Sequence, residues 1–303
     1  MKPTLVVLAA GMGSRYGGLK QMDAFGPNGE TILDYSVYDA IESGFGKVVF
    51  IVRESFLQDF KSFFSDKFDD KIEVAFVTQE LSKIPSGFGP YDRQKPWGTA
   101  HAVQMAVEAA NEPFLVINAD DFYGRDAYKV AYDYFQKHTI SKSDVKDIFF
   151  VMGYKLKNTL SDHGSVNRGV CELDKDGNLI DIKECRMISK SDDGTISYND
   201  NGVNIELDNE ALVSMNMWGF YPEYFSHFDK NFKIFLEEEG SNPTSEYYIP
   251  VLIDLLIKNN EAEVRVLSSD SEWFGVTYKE DKPFVMEKLE NLIESGVYPK
   301  KLW

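Results

Sequence analysis

The amino-acid sequence predicts an α/β protein in which a mostly parallel sheet lies between layers of helices. A continuous apolar run at residues 5–8 is typical of a strand buried on both faces. Apolar strands then alternate with helical patterns over residues 4–121, which favours parallel strands with helices on both faces. The second half contains the turn sequence Asp-Lys-Asp-Gly at 174–177, which is typical of an antiparallel hairpin and predicts a mixed sheet.

In the first half, the apolar pattern predicts four strands, at residues 5–8, 47–52, 72–78 and 114–118. Helices are expected at 32–43, after the N-cap Thr31, and at 54–64 and 98–110. Ligands of such sheets lie beyond the carboxyl ends of the strands. We therefore expect a site formed by the loop after the first strand, by Gln79 and by Asp120-Asp121.

The second half is predicted to hold more strands than helices. Strands are expected at 147–156, 170–173, 179–183, 212–220 and 262–267, and helices at 247–257 and 284–293. Residues 189–201 are polar, so we expect an exposed excursion there. No repeat or linker divides the chain, which predicts a single domain.

Composition excludes several classes of partner. The formal net charge of −17 and the pI of about 4.7 argue against nucleic acid or an anionic membrane as a partner. An anionic substrate must therefore be met by local cations, loop amides or a metal. The two cysteines argue against a disulfide framework, and no apolar run is long enough to span a membrane. Because the first apolar run ends in a glycine loop and not in a cleavage site, we expect a cytoplasmic protein.

A glycine-rich loop follows the first strand, with the sequence AAGMGSRYGG at residues 9–18. Small residues let successive backbone N–H groups approach an anion, and Arg15 and Lys20 add positive charge. A plain tight turn and a dinucleotide-binding GxGxxG are the other interpretations. A dinucleotide site needs an acidic residue after the second strand, whereas Arg53 stands there first, and the third glycine comes one place late. The loop therefore predicts binding of a phosphate group.

Residues 8–15, LAAGMGSR, followed by Leu19-Lys20-Gln21, resemble the signature of the sugar-phosphate nucleotidyltransferases. These enzymes join a nucleoside triphosphate to a sugar 1-phosphate and release pyrophosphate. The resemblance implies a three-layer, Rossmann-like (GT-A-like) α/β/α fold for one domain, 1–303. Residues 1–121 would form its nucleotide-binding half, and residues 122–303 its sugar-phosphate half with the C-terminal helices. The short segment between Arg15 and Lys20 also resembles molybdopterin guanylyltransferases, so a phosphocholine- or molybdopterin-type transferase remains open.

The resemblance implies roles for residues of the first half. Arg15 and Lys20 would be catalytic, stabilising the charge of the transferred phosphates, and Asp120 would hold Mg²⁺. The residues implied in nucleotide binding are Leu8, Ala10, Gly11, Gly13, Gln79, Gly98 and Thr99. Because the Gln79 amide offers both a donor and an acceptor, it suits a pyrimidine edge and favours UTP or dTTP.

On the sugar side the resemblance implies a binding set of Gly169, Glu184, Arg186, Asn216 and Glu246. Cys185 stands where the family has a phosphate-binding Lys, so Arg186 or Lys183 would supply that cation. Gly275 stands where the family has a second metal-binding Asp. These two departures keep a non-catalytic nucleotide-binding regulator open as an alternative.

Residues 81–96 form a longer insertion than the family carries and predict a lid or a partner surface. The expected partners of the chain are a nucleoside triphosphate and a sugar 1-phosphate, without nucleic acid or membrane. A homo-oligomer is left open.

Overall fold

The computed structural model describes residues 1–11, 20–68, 70–138, 146–161, 164–200, 202–276 and 279–303. Within them, eleven strands form one mixed sheet, and two short strands form a second. The strands of the large sheet are β1 (Thr4–Leu8), β2 (Lys47–Val52), β3 (Glu73–Thr78), β4 (Phe114–Asn118), β6 (Asp147–Lys155), β7 (Val166–Leu173), β8 (Leu179–Lys190), β9 (Ile196–Asp200), β10 (Val203–Leu207), β11 (Leu212–Phe220) and β12 (Ala262–Ser268). The short pair is β5 (Asp121–Phe122) and β13 (Phe274–Gly275).

Seven α-helices flank these strands in the described part of the chain: α1 (Ile32–Ser43), α2 (Leu57–Phe68), α3 (Thr99–Gln104), α4 (Arg125–Lys137), α5 (Glu223–Glu239), α6 (Ile249–Lys258) and α7 (Lys282–Glu294). None of them is long and apolar enough to cross a membrane. The predicted α/β class with a mixed, mostly parallel sheet in its first half is confirmed.

The nucleotide half is built on four parallel strands in the order β3-β2-β1-β4. Leu5, Val6 and Val7 have no exposed surface, as a strand covered on both faces requires. The four strands were each predicted from their apolar runs. Because they are parallel, their carboxyl ends share one edge of the sheet.

Strand β11 joins this half of the sheet to the other. Its first residues pair with β7 through Val213 and Ser214, and its last residues pair with β4 through Trp218–Phe220. On its other side β11 pairs with β6, and that pairing shifts register between Ser214 and Trp218. The residue at the middle of this irregularity is Asn216, which lies beside the end of β4.

Helix α1 begins at the predicted cap. The Thr31 hydroxyl accepts a hydrogen bond from the Asp34 N–H at 3.1 Å, and the Asp34 carboxylate accepts one from the Thr31 N–H at 2.7 Å. These reciprocal bonds form a capping box, which satisfies backbone donors that no helical carbonyl can reach. The helix ends at Gly44, where φ is +109°, a conformation that favours glycine.

Three parts of the predicted secondary structure are wrong. The helix expected at 98–110 ends at Gln104, because the next amides bond three residues back, as in Met105 to Ala102 and Ala106 to Val103. The expected excursion at 189–201 instead contains the end of β8, a turn and the paired strand β9, in which Ile196 and Tyr198 are buried. Helices α4 and α5 were not predicted, although both carry apolar residues at helical spacing.

A second, smaller core lies under the C-terminal helix α7. Phe122 and Phe274, from β5 and β13, stack with their ring centroids 4.3 Å apart. Tyr35 of α1 and Tyr298, beyond α7, pack edge to face in the same cluster. This core fixes β13 against the residues that follow β4.

Candidate active site

The carboxyl ends of β1 to β4 form the floor of the site. Backbone hydrogen bonds continue the sheet past the ends of the strands. The N–H groups of Ala9, Ala119 and Gln79 donate to the carbonyl oxygens of Ile51, Leu8 and Val52, respectively. The chain segments after β1, β3 and β4 are thereby held side by side. The structure places Leu8, Ala10, Gly11, Gln79 and Asp120 along this edge, as predicted from the order of strands.

The beginning of the glycine loop is held by two side chains. Arg53, at the end of β2, donates from Nε to the Ala10 carbonyl at 3.0 Å, and Gln21 donates to the Gly11 carbonyl at 3.2 Å. Gly13 and Arg15 lie outside the described residues. Lys20 begins a short 3₁₀ turn, Lys20–Met22, and its side chain is outside the description. The sequence analysis missed Arg53 as a site residue, although a cation directly after a buried strand was a usable signal.

A small cavity of about 200 Å³ opens beside Arg53. It is lined by residues from the ends of β2 and β3, from the insertion and from the start of α3: Arg53, Glu54, Ser55, Gln79, Glu80, Leu81, Gln94, Pro96, Trp97 and His101. The predicted base-binding residue Gln79 therefore lies in a concave pocket at the sheet edge.

The side chain of Gln79 is tied into the protein through its amino group. Its Nε2 donates to the Gly98 carbonyl at 3.1 Å and lies 3.2 Å from Nδ1 of His101. In this structure the amino group is engaged within the protein, so the recognition of a base through both a donor and an acceptor of this amide stays a prediction. Both amide hydrogens have partners inside the protein, and the oxygen is the group left for a ligand.

The insertion at 81–96 is packed against the body of the protein. Arg93 is 7% exposed, with its guanidinium 3.6 Å from the centre of the Trp97 ring, and it donates to the Ser245 carbonyl at 2.6 Å. The Trp97 indole in turn donates to the Leu81 carbonyl at 3.0 Å. The segment forms a wall of the small cavity in this structure, and its predicted role as a lid or partner surface stays a prediction.

Gly98 and Thr99 carry structural roles that the sequence did not indicate. Gly98 has φ of +106°, and a Cβ there would lie 2.5 Å from the carbonyl oxygen of Tyr247. Any side chain at this position would therefore collide with the backbone of Tyr247, so only glycine fits. Thr99 accepts a hydrogen bond from the Ile249 N–H at 3.1 Å, and so satisfies a backbone donor at the start of α6.

A larger cavity of about 690 Å³ lies on the other side of Gly98. Its polar lining includes four of the five residues predicted for the sugar side, Gly169, Glu184, Arg186 and Asn216, together with Thr99. The other lining residues come from β8, β11 and α6: Leu179, Ile180, Asp181, Ile182, Ser214, Tyr248, Pro250, Val251, Ile253, Asp254 and Ile257. Tertiary folding thus brings residues from five separate segments, α3, β7, β8, β11 and α6, into one cavity.

Among the described residues that line this cavity, the cation is Arg186. Neighbouring residues of a strand point to opposite faces, and Cys185 is buried in the core with 1% of its surface exposed. Glu184 and Arg186, on either side of it, both face the cavity. Lys183 instead lies 3.6 Å from the Asp200 carboxylate, on β9. Of the two cations proposed to replace the family's Lys, the structure therefore favours Arg186.

Asn216 is held in an uncommon conformation. Its φ is +62°, a left-handed value that few residues other than glycine adopt, although Asn does so more readily than most. Its Nδ2 donates to Oδ1 of Asn118 at 2.7 Å, and its Oδ1 accepts from the Trp218 indole at 3.1 Å. Asn118 donates onward to the Asp121 carboxylate at 2.8 Å. This chain of bonds links the larger cavity to the end of β4.

Glu246, the fifth residue predicted for the sugar side, lies beside the cavity wall. Its carboxylate pairs with Lys95 of the insertion and accepts a hydrogen bond from Tyr248. Tyr248 itself lines the cavity. A direct contact of Glu246 with a sugar would have to replace or share these bonds.

The residues after β4 can hold a divalent cation together with a nucleotide. Asp120 is half-buried and Asp121 is 9% exposed, and carboxylate oxygens are ligands that Mg²⁺ prefers. A Cβ on Gly275 would lie only 2.6 Å from Oδ1 of Asp121, so the Asp121 carboxylate occupies the space beside the position of the family's second Asp. In the described part of the chain no three His, Cys, Asp or Glu side chains are grouped as a metal site. The donors therefore fit a cation that takes its remaining ligands from phosphate oxygens and water.

A partly buried cation, Arg168, lies near these carboxylates. It donates to the Thr159 hydroxyl at 3.2 Å, and its guanidinium lies 4.9 Å from the centre of the Trp273 ring. Burial lowers the pKa of Arg168 to about 10, while the negative charges of Asp121 and Glu184 oppose the shift. The guanidinium therefore stays charged at neutral pH and offsets the charge of the acidic residues.

Comparison with known proteins identifies the family of this chain. The family model described as Nucleotidyl transferase matches residues 4–184, which is more than half of the chain. The chain therefore belongs to the nucleotidyl transferase family and is an enzyme of that class. The family predicted from the sequence is confirmed. No curated protein sequence matches the chain.

Solved structures share the fold over nearly the whole chain at low sequence identity. An inositol-1-phosphate CTP transferase from T. maritima is 15% identical with a TM-score of 0.59, and the match covers 95% of this chain and 96% of that one. A Bacillus anthracis protein assigned as a glucose-1-phosphate thymidylyltransferase is 13% identical with a TM-score of 0.61, covering 94% of both chains. A UDP-glucose pyrophosphorylase complexed with UDP-glucose is 16% identical with a TM-score of 0.58, covering 96% of this chain and 99% of that one.

Proposed function

We propose that this nucleotidyltransferase transfers a nucleoside monophosphate from UTP or dTTP to a sugar 1-phosphate, and so forms a nucleotide sugar and pyrophosphate. The observation that carries the proposal is the pair of cavities at the carboxyl edge of the sheet. Trp97 lines the smaller cavity and Thr99 the larger, so that only Gly98 separates them along the chain. Such an arrangement would place a base and an acceptor on either side of Gly98.

The proposal treats residues 1–303 as one nucleotidyltransferase domain. Residues 1–121 provide the phosphate loop and the smaller cavity, and residues 122–303 provide most of the larger one. The pairing of β11 with β4 supports this, because it joins the two halves in one sheet. The large negative charge and the two buried, free cysteines are consistent with a cytoplasmic enzyme that does not bind nucleic acid.

In the proposed reaction an oxygen of the sugar 1-phosphate attacks the α-phosphorus of the triphosphate in line. A new P–O bond forms to the sugar phosphate, the bond between the α-phosphorus and its bridging oxygen breaks, and pyrophosphate leaves. Both reactants are anions, so catalysis depends mostly on positioning and on neutralising charge. Arg186 would hold the acceptor phosphate, while Arg15 and Lys20 would neutralise the triphosphate.

Recognition of the sugar would depend on groups with fixed positions. Glu184 offers carboxylate oxygens to hydroxyl groups, and Asn216 is held by Asn118 and Trp218. Gly169 leaves space for the acceptor beside β7 because it carries no side chain. Asp120 would hold Mg²⁺, which would bind triphosphate oxygens and lower their charge in the transition state.

A screen of pyrophosphate release tests the proposal. Each of UTP, dTTP, CTP, GTP and ATP would be combined with hexose 1-phosphates, inositol 1-phosphate and phosphocholine, with and without Mg²⁺. We expect release with a pyrimidine triphosphate and a sugar 1-phosphate. Release only with phosphocholine or inositol 1-phosphate would overturn the choice of acceptor, and no release with any pair would support the non-catalytic alternative.

A further inference from the structure

The side chain of His101 connects the insertion to the proposed base pocket. It lies on α3, is fully buried, and has a partner on each ring nitrogen. Nε2 lies 2.6 Å from the Lys83 carbonyl oxygen, and Nδ1 lies 3.2 Å from Nε2 of Gln79. His101 is therefore placed to influence the side chain of Gln79 through a hydrogen bond.

These contacts determine where the protons are. A carbonyl oxygen only accepts hydrogen bonds, so Nε2 of His101 must carry a hydrogen. Burial, with a smaller contribution from the charge of Arg93, lowers the pKa of His101 to about 4. The ring is therefore neutral at physiological pH, and Nδ1 has a lone pair that accepts a hydrogen bond.

The orientation of the Gln79 amide follows from this tautomer. Nδ1 of His101 and the Gly98 carbonyl both need a donor, and the Gln79 amino group supplies one hydrogen to each. A rotated amide would turn its oxygen toward two acceptors, so it is disfavoured. Gln79 consequently presents its oxygen to the pocket and has no N–H left to donate.

We propose that His101 is a positioning residue that makes Gln79 an acceptor-only group and thereby sets the preference for uracil or thymine over cytosine. The inference rests on the proposed function. Uracil and thymine carry a hydrogen on N3, which can donate to the Gln79 oxygen. Cytosine has an unprotonated N3, which would repel that oxygen. The hydrogen-bond network thus identifies His101 as the residue that fixes how the Gln79 amide recognises the base.

The tautomer can be measured directly by ¹⁵N NMR of the imidazole rings. The chain has four histidines, so the His101 signals can be identified by comparison with the His101→Asn variant. We expect a neutral ring protonated on Nε2, with shifts unchanged from pH 5.5 to 8. A ring protonated on Nδ1, or one that titrates in this range, would overturn the inference.

The effect on specificity is tested with two substitutions at this position. His101→Phe keeps a ring but removes the acceptor, whereas the side-chain oxygen of His101→Asn can take the place of Nδ1. We expect His101→Phe to reduce the ratio of kcat/KM for UTP over CTP about tenfold, mainly through KM, because one oriented hydrogen bond is lost. His101→Asn should keep most of the preference, and His138→Phe, at the exposed end of α4, should keep all of it.

Several outcomes would contradict the proposal. They are a wild-type enzyme that prefers CTP, an unchanged ratio in His101→Phe, and an equal loss in His101→Asn. Should His101→Phe not fold, Gln79→Glu replaces it, because a carboxylate cannot donate to Nδ1. His101 should then hold a second proton at pH 6 in the NMR spectrum, and an unchanged spectrum would count against the network. Absence of pyrophosphate release with every triphosphate would refute the proposed function, while the NMR result would still decide the orientation of Gln79.

Discussion

Replacement of Asp39 by Asn should change how the stability of the protein depends on pH. Asp39 lies on α1 with 1% of its surface exposed, where it accepts a hydrogen bond from Tyr298 at 2.6 Å. Nε of Arg125 lies 3.5 Å from its other oxygen. Burial raises the pKa of Asp39 from 3.8 to about 7, although Tyr298 and Arg125 oppose the shift.

The direction of this pKa shift determines whether stability rises or falls with pH. The folded protein holds the Asp39 proton more tightly than the unfolded chain does. The resulting stability is fully present below pH 3.8 and is lost as the pH rises through about 7. In this window the free energy of unfolding falls by ~1.4 kcal/mol for each pH unit, and the whole pKa shift corresponds to ~4 kcal/mol.

The assay is urea unfolding of the wild type and of Asp39→Asn, followed by tryptophan fluorescence at several pH values. An Asn does not ionise, so its contribution to stability does not change with pH. We therefore expect the free energy of unfolding of the variant, relative to that of the wild type, to rise by ~2 kcal/mol between pH 5.5 and 7 and by little more above pH 7.5. Asp66→Asn, on the exposed face of α2, serves as the control for an Asp-to-Asn substitution. A constant difference for Asp39→Asn, or one that falls with pH, would refute the argument and would show that Arg125 stabilises an ionised Asp39.

Three further predictions concern the proposed reaction. Arg186→Ala should raise KM for the acceptor about tenfold or more in steady-state kinetics. The ammonium group of Lys183 lies near Asp200, so Lys183→Ala should change this KM little. The reverse result would assign the phosphate-binding role to Lys183. Asp120→Asn should abolish turnover without lowering Tm. Calorimetry should show that the wild-type protein binds Mg²⁺ tightly only when the triphosphate is present. Tight binding of Mg²⁺ without nucleotide would reveal a preformed metal site. Arg15→Ala should lower kcat about 10²–10³-fold if this side chain stabilises charge in the transition state, so unchanged turnover would remove Arg15 from the catalytic set.

Local sequence patterns were sufficient for much of the fold. The four parallel strands were evident because a strand covered on both faces must be apolar throughout, as in β1 and β4. The cap and the end of α1 were evident because Thr31 is a favoured N-cap residue and Gly44 a favoured C-terminal one. Helix α3 was predicted too long, since alanine-rich sequence also permits the tighter turns that follow Gln104.

The sequence by itself determined the class of enzyme and the edge of the sheet at which its site lies. Both depend on a contiguous motif and on the order of strands, which short segments encode. Only the tertiary structure decided that Arg186 faces the larger cavity, that Asn216 reaches Asn118, and that His101 orients Gln79. Each of these results depends on the direction of a side chain and on a partner distant in sequence. Such contacts are set by the packing of the whole chain, and no local pattern records them.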